Sequence, residues 1–282
     1  MADDTPRGFD PGAAGPGSSA AMRTDVACSL TISSPVPATA LLQVAVAAPT
    51  TEELTILSAG QPRHAVETQV DGARVHKLEV AAGETTISYS ASVESGGAPR
   101  EVTAADWAEY LRPSRYCPSD QVEGFAAREF DQDVERGALV GQVAQWVTDR
   151  LVYVAGASRP VDTAIDTLLA GSGVCRDYTH LTVMLLRALE VPARLVAVYA
   201  PGLSPMDFHA VVEADVDGVW KTVDPTRLAP TSSLVRICHG RDAADTAFLS
   251  LFGGRATLGR MTVTATVDGD LPAPDAAPYP LP

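Results

Sequence analysis

Cys175 follows the glycine-containing turn GSGV and begins an apolar stretch that ends before Pro192. The apolar spacing predicts a helix over CRDYTHLTVMLLRALE, with Ser172 as its N-cap. In the first turn of a helix, unpaired backbone N–H groups and the helix dipole favour negative charge, and Arg176 adds positive potential. The thiolate is therefore favoured, and Cys175 is a candidate nucleophile. The alternative is a buried, unreactive cysteine, which is common in proteins.

A nucleophilic thiol needs a base and an orienting group. His180 lies five residues after Cys175, about 140° around a helix, so it cannot reach the sulfur. His209 begins the predicted strand HAVVEADV, and Asp217-Gly218 predicts a type I′ hairpin to VWKTVDP. This register makes His209 and Asp224 diagonal neighbours, about 7 Å apart at Cβ. A one-residue slip would expose the alternating valines. If the helix start faces the hairpin, the residues form a Cys–His–Asp triad; the alternative is a structural hydrogen bond on the hairpin face.

The elements around these residues predict an α+β protein with two domains. Period-two runs of β-branched residues predict an antiparallel β-sandwich-like domain over 24–97. A Gly-, Pro- and Ser-rich linker follows over 98–120. Helical patterns and then strands predict helices packed on an antiparallel sheet over 121–268. Residues 1–23 are predicted to be a flexible tail, and 269–282 a Pro-rich tail.

Composition limits the partners. The net charge of −14, with lysine only at Lys77 and Lys221, disfavours nucleic acid and anionic membranes. There is no CxxC pair, apolar membrane-length run or secretory signal, so a cytoplasmic protein with reduced thiols is predicted. His239 beside Cys238 has no second ligand group at metal-binding spacing. We therefore expect no metal and no cofactor.

Four sequence blocks resemble the core of the transglutaminase-like superfamily in its bacterial form. They are a G-x-C-x-[DE]-[YF]-[AST] helix start, a leucine-rich helix ending in [GE]-[IV]-P-A-R, an H-A-[WV]-x-E strand and a W-x-x-[VL]-D-P-T strand. All four occur in order within GVCRDYTHLTVMLLRALEVPARLVAVY and FHAVVEADVDGVWKTVDPT. The combination is more specific than any single block. The N-terminal β region also resembles the extra β domain of many bacterial members.

The resemblance implies a papain-like fold in which Cys175 is the nucleophile, His209 the general base and acid, and Asp224 the orienting carboxylate. It also implies acyl transfer from a carboxamide or peptide carbonyl through a thioester, which water or an amine resolves. The sequence departs from the family pattern at Val211, where tryptophan is frequent, and at Glu190, where glycine often stands. Neither departure removes a member of the triad.

We therefore predict a transglutaminase-like cysteine peptidase or amidase that hydrolyses bonds in a peptide or protein substrate. The alternatives are an amine-transferring, cross-linking transglutaminase and a non-catalytic binding module that kept the fold. The Cys175 N–H is one candidate oxyanion donor. Trp107, Tyr110 or Tyr116 is a candidate for the second, and nothing in the sequence chooses among them. The sequence makes no prediction of the oligomeric state.

Overall fold

The computed structural model describes residues 22–70, 72–94, 98–273 and 278–281, and it is a mixed α+β protein. The first seven strands are β1 (Arg23–Ser34), β2 (Ala38–Leu42), β3 (Thr51–Ser58), β4 (Gln61–Arg63), β5 (Val66–Val70), β6 (Ala73–Val80) and β7 (Gly83–Glu94). The central part contains helices α1 (Ala104–Tyr110), α2 (Glu123–Glu129), α3 (Arg136–Arg150), α4 (Ala164–Ala170) and α5 (Cys175–Ala188). It also contains two short 3₁₀ helices, Ser119–Gln121 and Thr231–Ser233. The remaining strands are β8 (Val152–Tyr153), β9 (Ser172–Gly173), β10 (Ala193–Tyr199), β11 (Phe208–Val216), β12 (Val219–Val223), β13 (Val235–Gly240), β14 (Leu249–Phe252) and β15 (Thr257–Val267).

The N-terminal strands form two antiparallel sheets, in the orders β15-β1-β7-β3-β4 and β14-β2-β6-β5. Burial alternates along β1, as expected for a strand with one face on a core. Leu30, Ile32 and Ile87 of one sheet and Leu42 and Leu78 of the other belong to one buried apolar cluster. The two sheets therefore pack as a sandwich.

Strands from the end of the chain complete this sandwich. Thr24 of β1 pairs with Val267 of β15, and Leu42 of β2 pairs with Leu249 of β14. The sequence pattern predicts that these C-terminal strands belong to the second domain, over 121–268. That assignment is wrong for β14 and β15, because pairing of strands far apart in sequence leaves no local signal.

The predicted linker and the predicted Pro-rich tail both contain residues that pair with β12. The linker of residues 98–120 contains α1, and its Glu101 forms a β-bridge with Val219 of β12. In the Pro-rich tail, Tyr279 bridges Thr222, also of β12. The N-terminal tail lies outside the described residues as far as residue 21.

The sheet that positions the candidate site has the order β12-β11-β10-β13. Helix α5 packs on it through a core that includes Leu181, Met184 and Leu185, together with Val212 of β11. The predicted hairpin register is confirmed from Val216 paired with Val219 to Val212 paired with Val223. Asp217 and Gly218 both have positive φ, 56° and 80°, as a type I′ turn requires.

Candidate active site

Helix α5 begins at Cys175, and its N-cap is Val174 rather than the predicted Ser172. The Val174 N–H donates to Asp177 Oδ2 at 2.8 Å. Ser172 instead pairs with Val152 in the short parallel β8–β9 ladder. A Cβ on Gly173 would lie 2.6 Å from the Asp177 Cβ. This glycine of the GSGV turn therefore allows the capping carboxylate to approach the backbone.

Cys175 differs from the other three cysteines in its environment. Cys28, Cys117 and Cys238 are buried, whereas Cys175 is partly exposed. Burial raises the pKa of the Cys117 and Cys238 thiols to about 12 and also raises the pKa of Cys28. These three thiols are therefore held protonated and away from solvent. Cys175 instead lies at the N-terminus of α5.

His209 and Asp224 form a buried hydrogen bond. His209 Nε2 lies 2.9 Å from Asp224 Oδ2, and the two residues are 2% and 5% exposed. The backbone N–H and the hydroxyl of Thr226 both donate to Asp224 Oδ1, at 2.9 and 2.7 Å. Burial alone would raise the pKa of the Asp224 carboxyl, but His209 and these hydrogen bonds hold it below its ordinary value. Asp224 is therefore an ionised, oriented partner for the imidazole.

The Cys175 thiol interacts with the His209 imidazole, and both residues line one cleft. Within the described part of the chain, His209 Nδ1 is buried and has no hydrogen-bond partner. Burial alone would lower the pKa of His209, but Asp224 and then the Cys175 thiol outweigh burial and raise it. The structure thus brings Cys175, His209 and Asp224 together as the sequence predicted, while their catalytic roles stay a prediction.

Tyr153 is a site residue that the sequence analysis missed. It pairs in the parallel β8–β9 ladder with Gly173, which lies two residues before Cys175. The Tyr153 hydroxyl lies beside Cys175. Burial and the neighbouring thiol raise the pKa of the Tyr153 phenol to about 12, so it remains a hydrogen-bond donor. The β8–β9 ladder has two residues in each strand, too few to give a recognisable sequence pattern.

The three side chains considered as second oxyanion donors lie in different places. Trp107 packs against the Arg136 guanidinium, and Tyr110 is buried edge-on to Trp220. Tyr116 lines the same cleft as Cys175, but its hydroxyl donates to the Pro160 carbonyl at 3.0 Å. Tyr153, which interacts with Cys175, is a further candidate.

The remaining histidines of the central sheet and helix have structural partners. His180 Nε2 accepts from the Ala243 N–H at 3.1 Å, and burial lowers the pKa of His180 to about 4. His239 Nε2 lies 3.0 Å from Arg100, and burial lowers its pKa to about 3. Both are neutral near pH 7. Among the described residues, no group of three or more His, Cys, Asp or Glu side chains is arranged to hold a metal ion.

No helix in the described ranges is both long and apolar enough to span a membrane.

The open cleft beside Cys175 and His209 has a volume of about 540 Å³. Asp207 and Arg176 also line it. Burial raises the pKa of the Asp207 carboxyl. This arrangement places a thiol, an imidazole and a carboxylate along one cleft.

Comparison with known proteins identifies the family of this chain. The family model of the transglutaminase-like superfamily matches residues 126–225, which include all three candidate catalytic residues. The crystal structure of a protein named "Putative Cysteine Protease" from Cytophaga hutchinsonii is 30% identical, with a TM-score of 0.83 over 93% of this chain and 94% of that chain. An uncharacterised protein of Mycobacterium leprae is 27% identical over 198 residues, which are 61% of this chain and 69% of that protein. The chain therefore belongs to the transglutaminase-like superfamily, as the four sequence blocks predicted.

Proposed function

We propose that this protein is a cysteine-dependent hydrolase of peptide or carboxamide bonds that works through a Cys175–His209–Asp224 triad. The observation that carries the proposal is the arrangement of His209. One ring nitrogen is fixed by Asp224 at 2.9 Å, the other has no hydrogen-bond partner among the described residues, and the imidazole interacts with the partly exposed thiol at the start of α5. This is the geometry that proton transfer from a thiol to an oriented base requires.

In the proposed first half-reaction, the Cys175 thiol transfers its proton to His209, and the sulfur attacks the substrate carbonyl carbon. The carbonyl π electrons move to oxygen, forming a tetrahedral oxyanion. The Cys175 N–H at the helix start and the Tyr153 hydroxyl are the proposed donors to this oxygen. When the C–N bond breaks, the His209 imidazolium gives its proton to the leaving nitrogen, and an acyl thioester remains on Cys175.

In the second half-reaction, His209 removes a proton from water as the water oxygen attacks the thioester. The C–S bond then breaks, the carboxylic acid leaves, and the imidazolium returns a proton to the sulfur. Asp224 stabilises the imidazolium in both halves and fixes the tautomer that leaves Nδ1 available to the thiol.

One observation favours a second candidate function, transfer of the acyl group to an amine. The Asp207 carboxylate lines the cleft beside His209, where it could bind the ammonium form of an acceptor. An amine attacking the thioester would give a new amide instead of an acid. The partition between the two products separates the functions.

Alkylation with iodoacetamide tests the nucleophile. At about pH 6, an ordinary thiol with a pKa of about 8.5 is almost fully protonated and reacts slowly. We expect selective modification of Cys175 at this pH, located by peptide mass spectrometry, and loss of the selectivity in His209→Ala. His64→Ala, at an exposed histidine outside the cleft, is the matched control. Equal labelling of all four cysteines, with midpoints near the free-thiol value, would contradict the proposal.

Turnover is measured on a library of short peptide amides by mass spectrometry, with and without an added primary alkylamine. Hydrolysis predicts free acids in both reactions, whereas amine transfer predicts N-alkylamides when the amine is present. If the unmodified protein forms neither product although iodoacetamide labels its Cys175 selectively, the result would favour a reactive thiol without this acyl chemistry.

The proposal includes the cytoplasmic location predicted from the sequence. All four cysteines are free, and a thiolate nucleophile is maintained most readily in a reducing compartment. Fractionation of the native cells tests the location: recovery of the protein outside the cytoplasm would contradict this part of the proposal alone.

A further inference from the structure

The cleft beside Cys175 has a wall of large apolar side chains, which we call the apolar pocket. It is formed by Phe208, Ile237, Phe248, Leu249 and Met261. Phe208 and Phe248 stack with ring centroids 5.0 Å apart at 27°, which makes one side of the wall a continuous aromatic surface. Phe208 lines the same cleft as Cys175 and His209, so the pocket adjoins the reacting groups.

Two strands of the β-sandwich supply part of this wall. Leu249 is the first residue of β14 and pairs with Leu42, and Met261 of β15 pairs with Leu30. The sandwich is held against the catalytic sheet by a shared apolar core and by the Tyr199 hydroxyl, which donates to the Val44 carbonyl at 2.9 Å. The wall is therefore a fixed part of the cleft.

Most of this wall lies outside the part of the chain that the family model matches. That match ends at residue 225, before Ile237, Phe248, Leu249 and Met261. Most of the pocket is therefore formed by residues that follow the matched segment in the chain.

The polar side chains around the pocket are bound to the protein itself. Arg176 Nη2 donates to the Ser158 hydroxyl and the Arg159 carbonyl, at 3.1 and 3.0 Å, and it also pairs with Asp177. The Thr246 hydroxyl donates to the Asp242 carbonyl at 3.2 Å. An acidic ligand group would find the nearby guanidinium already paired, and it would also meet the Asp207 carboxylate.

We infer that the apolar pocket binds a large aliphatic or aromatic side chain of the acyl donor, next to the carbonyl that Cys175 attacks. The inference rests on the proposed function and gives its substrate class: peptides with a bulky apolar residue at the scissile bond. The cleft volume of about 540 Å³ is in the range of small-molecule sites and holds such a side chain with adjoining backbone. Burial of that side chain against the wall provides the selectivity.

Two alkylating reagents that differ in one apolar group test the inference. Iodoacetamide and N-benzyl iodoacetamide react with Cys175 by the same displacement of iodide, but only the second carries a ring for the pocket. Each rate is divided by the rate of the same reagent with glutathione. We expect the corrected rate of the benzyl reagent to exceed that of iodoacetamide by about tenfold or more, the usual scale for burying an apolar group.

Variants then locate the effect. Phe248→Ser and Leu249→Ser should bring the ratio of the two corrected rates close to one. Phe248→Leu, which keeps an apolar side chain, should retain most of the preference. Phe252→Ser is the matched control, because Phe252 lies on the same strand as Leu249 but is 54% exposed and does not line the cleft.

The outcomes separate this inference from the proposed function. Selective iodoacetamide labelling of Cys175 with no preference for the benzyl reagent overturns the inference that the apolar pocket binds substrate. It leaves the proposal that Cys175 is the nucleophile unchanged. A preference that survives both serine substitutions also overturns it. Failure of both reagents to select Cys175 overturns the proposed function itself. The ratio measured on the unaltered protein decides the question even if a serine variant does not fold.

Discussion

Strand β11 carries two buried ionic groups on the same face, and they differ in whether an atom is left for chemistry. His209, paired with Asp224, keeps Nδ1 toward the cleft, where the described residues give it no hydrogen-bond partner. Four residues further along the strand, Glu213 is completely buried between two arginines. Arg194 Nε donates to it at 2.7 Å, and Arg236 pairs with both of its carboxylate oxygens.

The difference follows from what covers each position. His209 lies near the start of β11, next to the N-terminus of α5 and the open cleft. Above Glu213, Arg194 stacks on Trp220 with its guanidinium carbon 3.9 Å from the ring centroid. Burial alone would raise the pKa of Glu213, but the two guanidinium groups lower it to about 2. A fully partnered charge stabilises structure, whereas a buried base with one unpaired nitrogen can take up a proton.

The largest effect that this comparison predicts is on catalysis in His209→Ala. Loss of the base should reduce hydrolysis of the peptide amides by a factor on the order of 10⁶, as for other members of nucleophile–base triads. The measurement is kcat/KM together with the urea midpoint. Activity within about tenfold of the unaltered protein would contradict the role of His209.

Asp224→Asn should have the next largest effect. The amide keeps the shape of the side chain but cannot stabilise an imidazolium, so kcat should fall by about 10⁴-fold. The loss should appear in kcat rather than KM, because Asp224 contacts the base and not the substrate. A change confined to KM would assign Asp224 to substrate binding instead.

Glu213→Gln should show the opposite pattern. It leaves two arginines facing a neutral side chain, which should lower the free energy of unfolding by about 3–5 kcal/mol. The kcat of the folded fraction should remain nearly unchanged. Glu67→Gln is the control, because Glu67 forms a more exposed ion pair with Arg74 and should cost less than about 1 kcal/mol. Denaturant unfolding measures both, and a large loss of kcat in folded Glu213→Gln would break the distinction between the two groups.

Tyr153→Phe should reduce kcat by about 10²-fold, the usual scale for one oxyanion donor. Tyr116→Phe is its partner control, because the Tyr116 hydroxyl donates to Pro160 and not to the reacting groups. Equal effects of the two substitutions would remove Tyr153 from the mechanism.

The smallest predicted effect is the pH dependence of stability. The folded-state pKa of His209 is raised, so its contribution is present at low pH and is lost as pH rises through the folded-state value. The pKa values of Asp224 and Glu213 are lowered, so their contributions are present above the unfolded-state values and are lost as pH falls. For Glu213, this loss runs from about pH 4.3 toward its folded-state value of about 2.

Unfolding in urea between pH 6 and pH 10 measures the stability contribution of His209, which is lost at alkaline pH. The difference in unfolding free energy between the unaltered protein and His209→Ala should shrink with rising pH, by an amount on the order of 1 kcal/mol. A difference that stays constant or grows over this range would show that His209 is not stabilised as an imidazolium.

Sequence reasoning worked best where structure is set by neighbouring residues. Asp217-Gly218 fixed the hairpin turn, and the alternating valines fixed its register, so the face shared by His209 and Asp224 followed. The prediction of the helix N-cap was wrong. Ser172 has a suitable residue type, but the Asp177 carboxylate accepts the Val174 N–H at the start of the helix instead. Residue type alone does not show which of two nearby polar side chains caps a helix.

The sequence by itself determined the family, the position of Cys175 at a helix start and the pairing of His209 with Asp224. Only the tertiary structure decided that β14 and β15 complete the N-terminal sandwich, that Tyr153 lies beside Cys175, and that Phe248, Leu249 and Met261 form a wall of the cleft. The physical reason is the range of the interactions. Turn geometry and side-chain alternation act between near neighbours, whereas backbone hydrogen bonds and apolar contacts between distant strands use groups that many segments share.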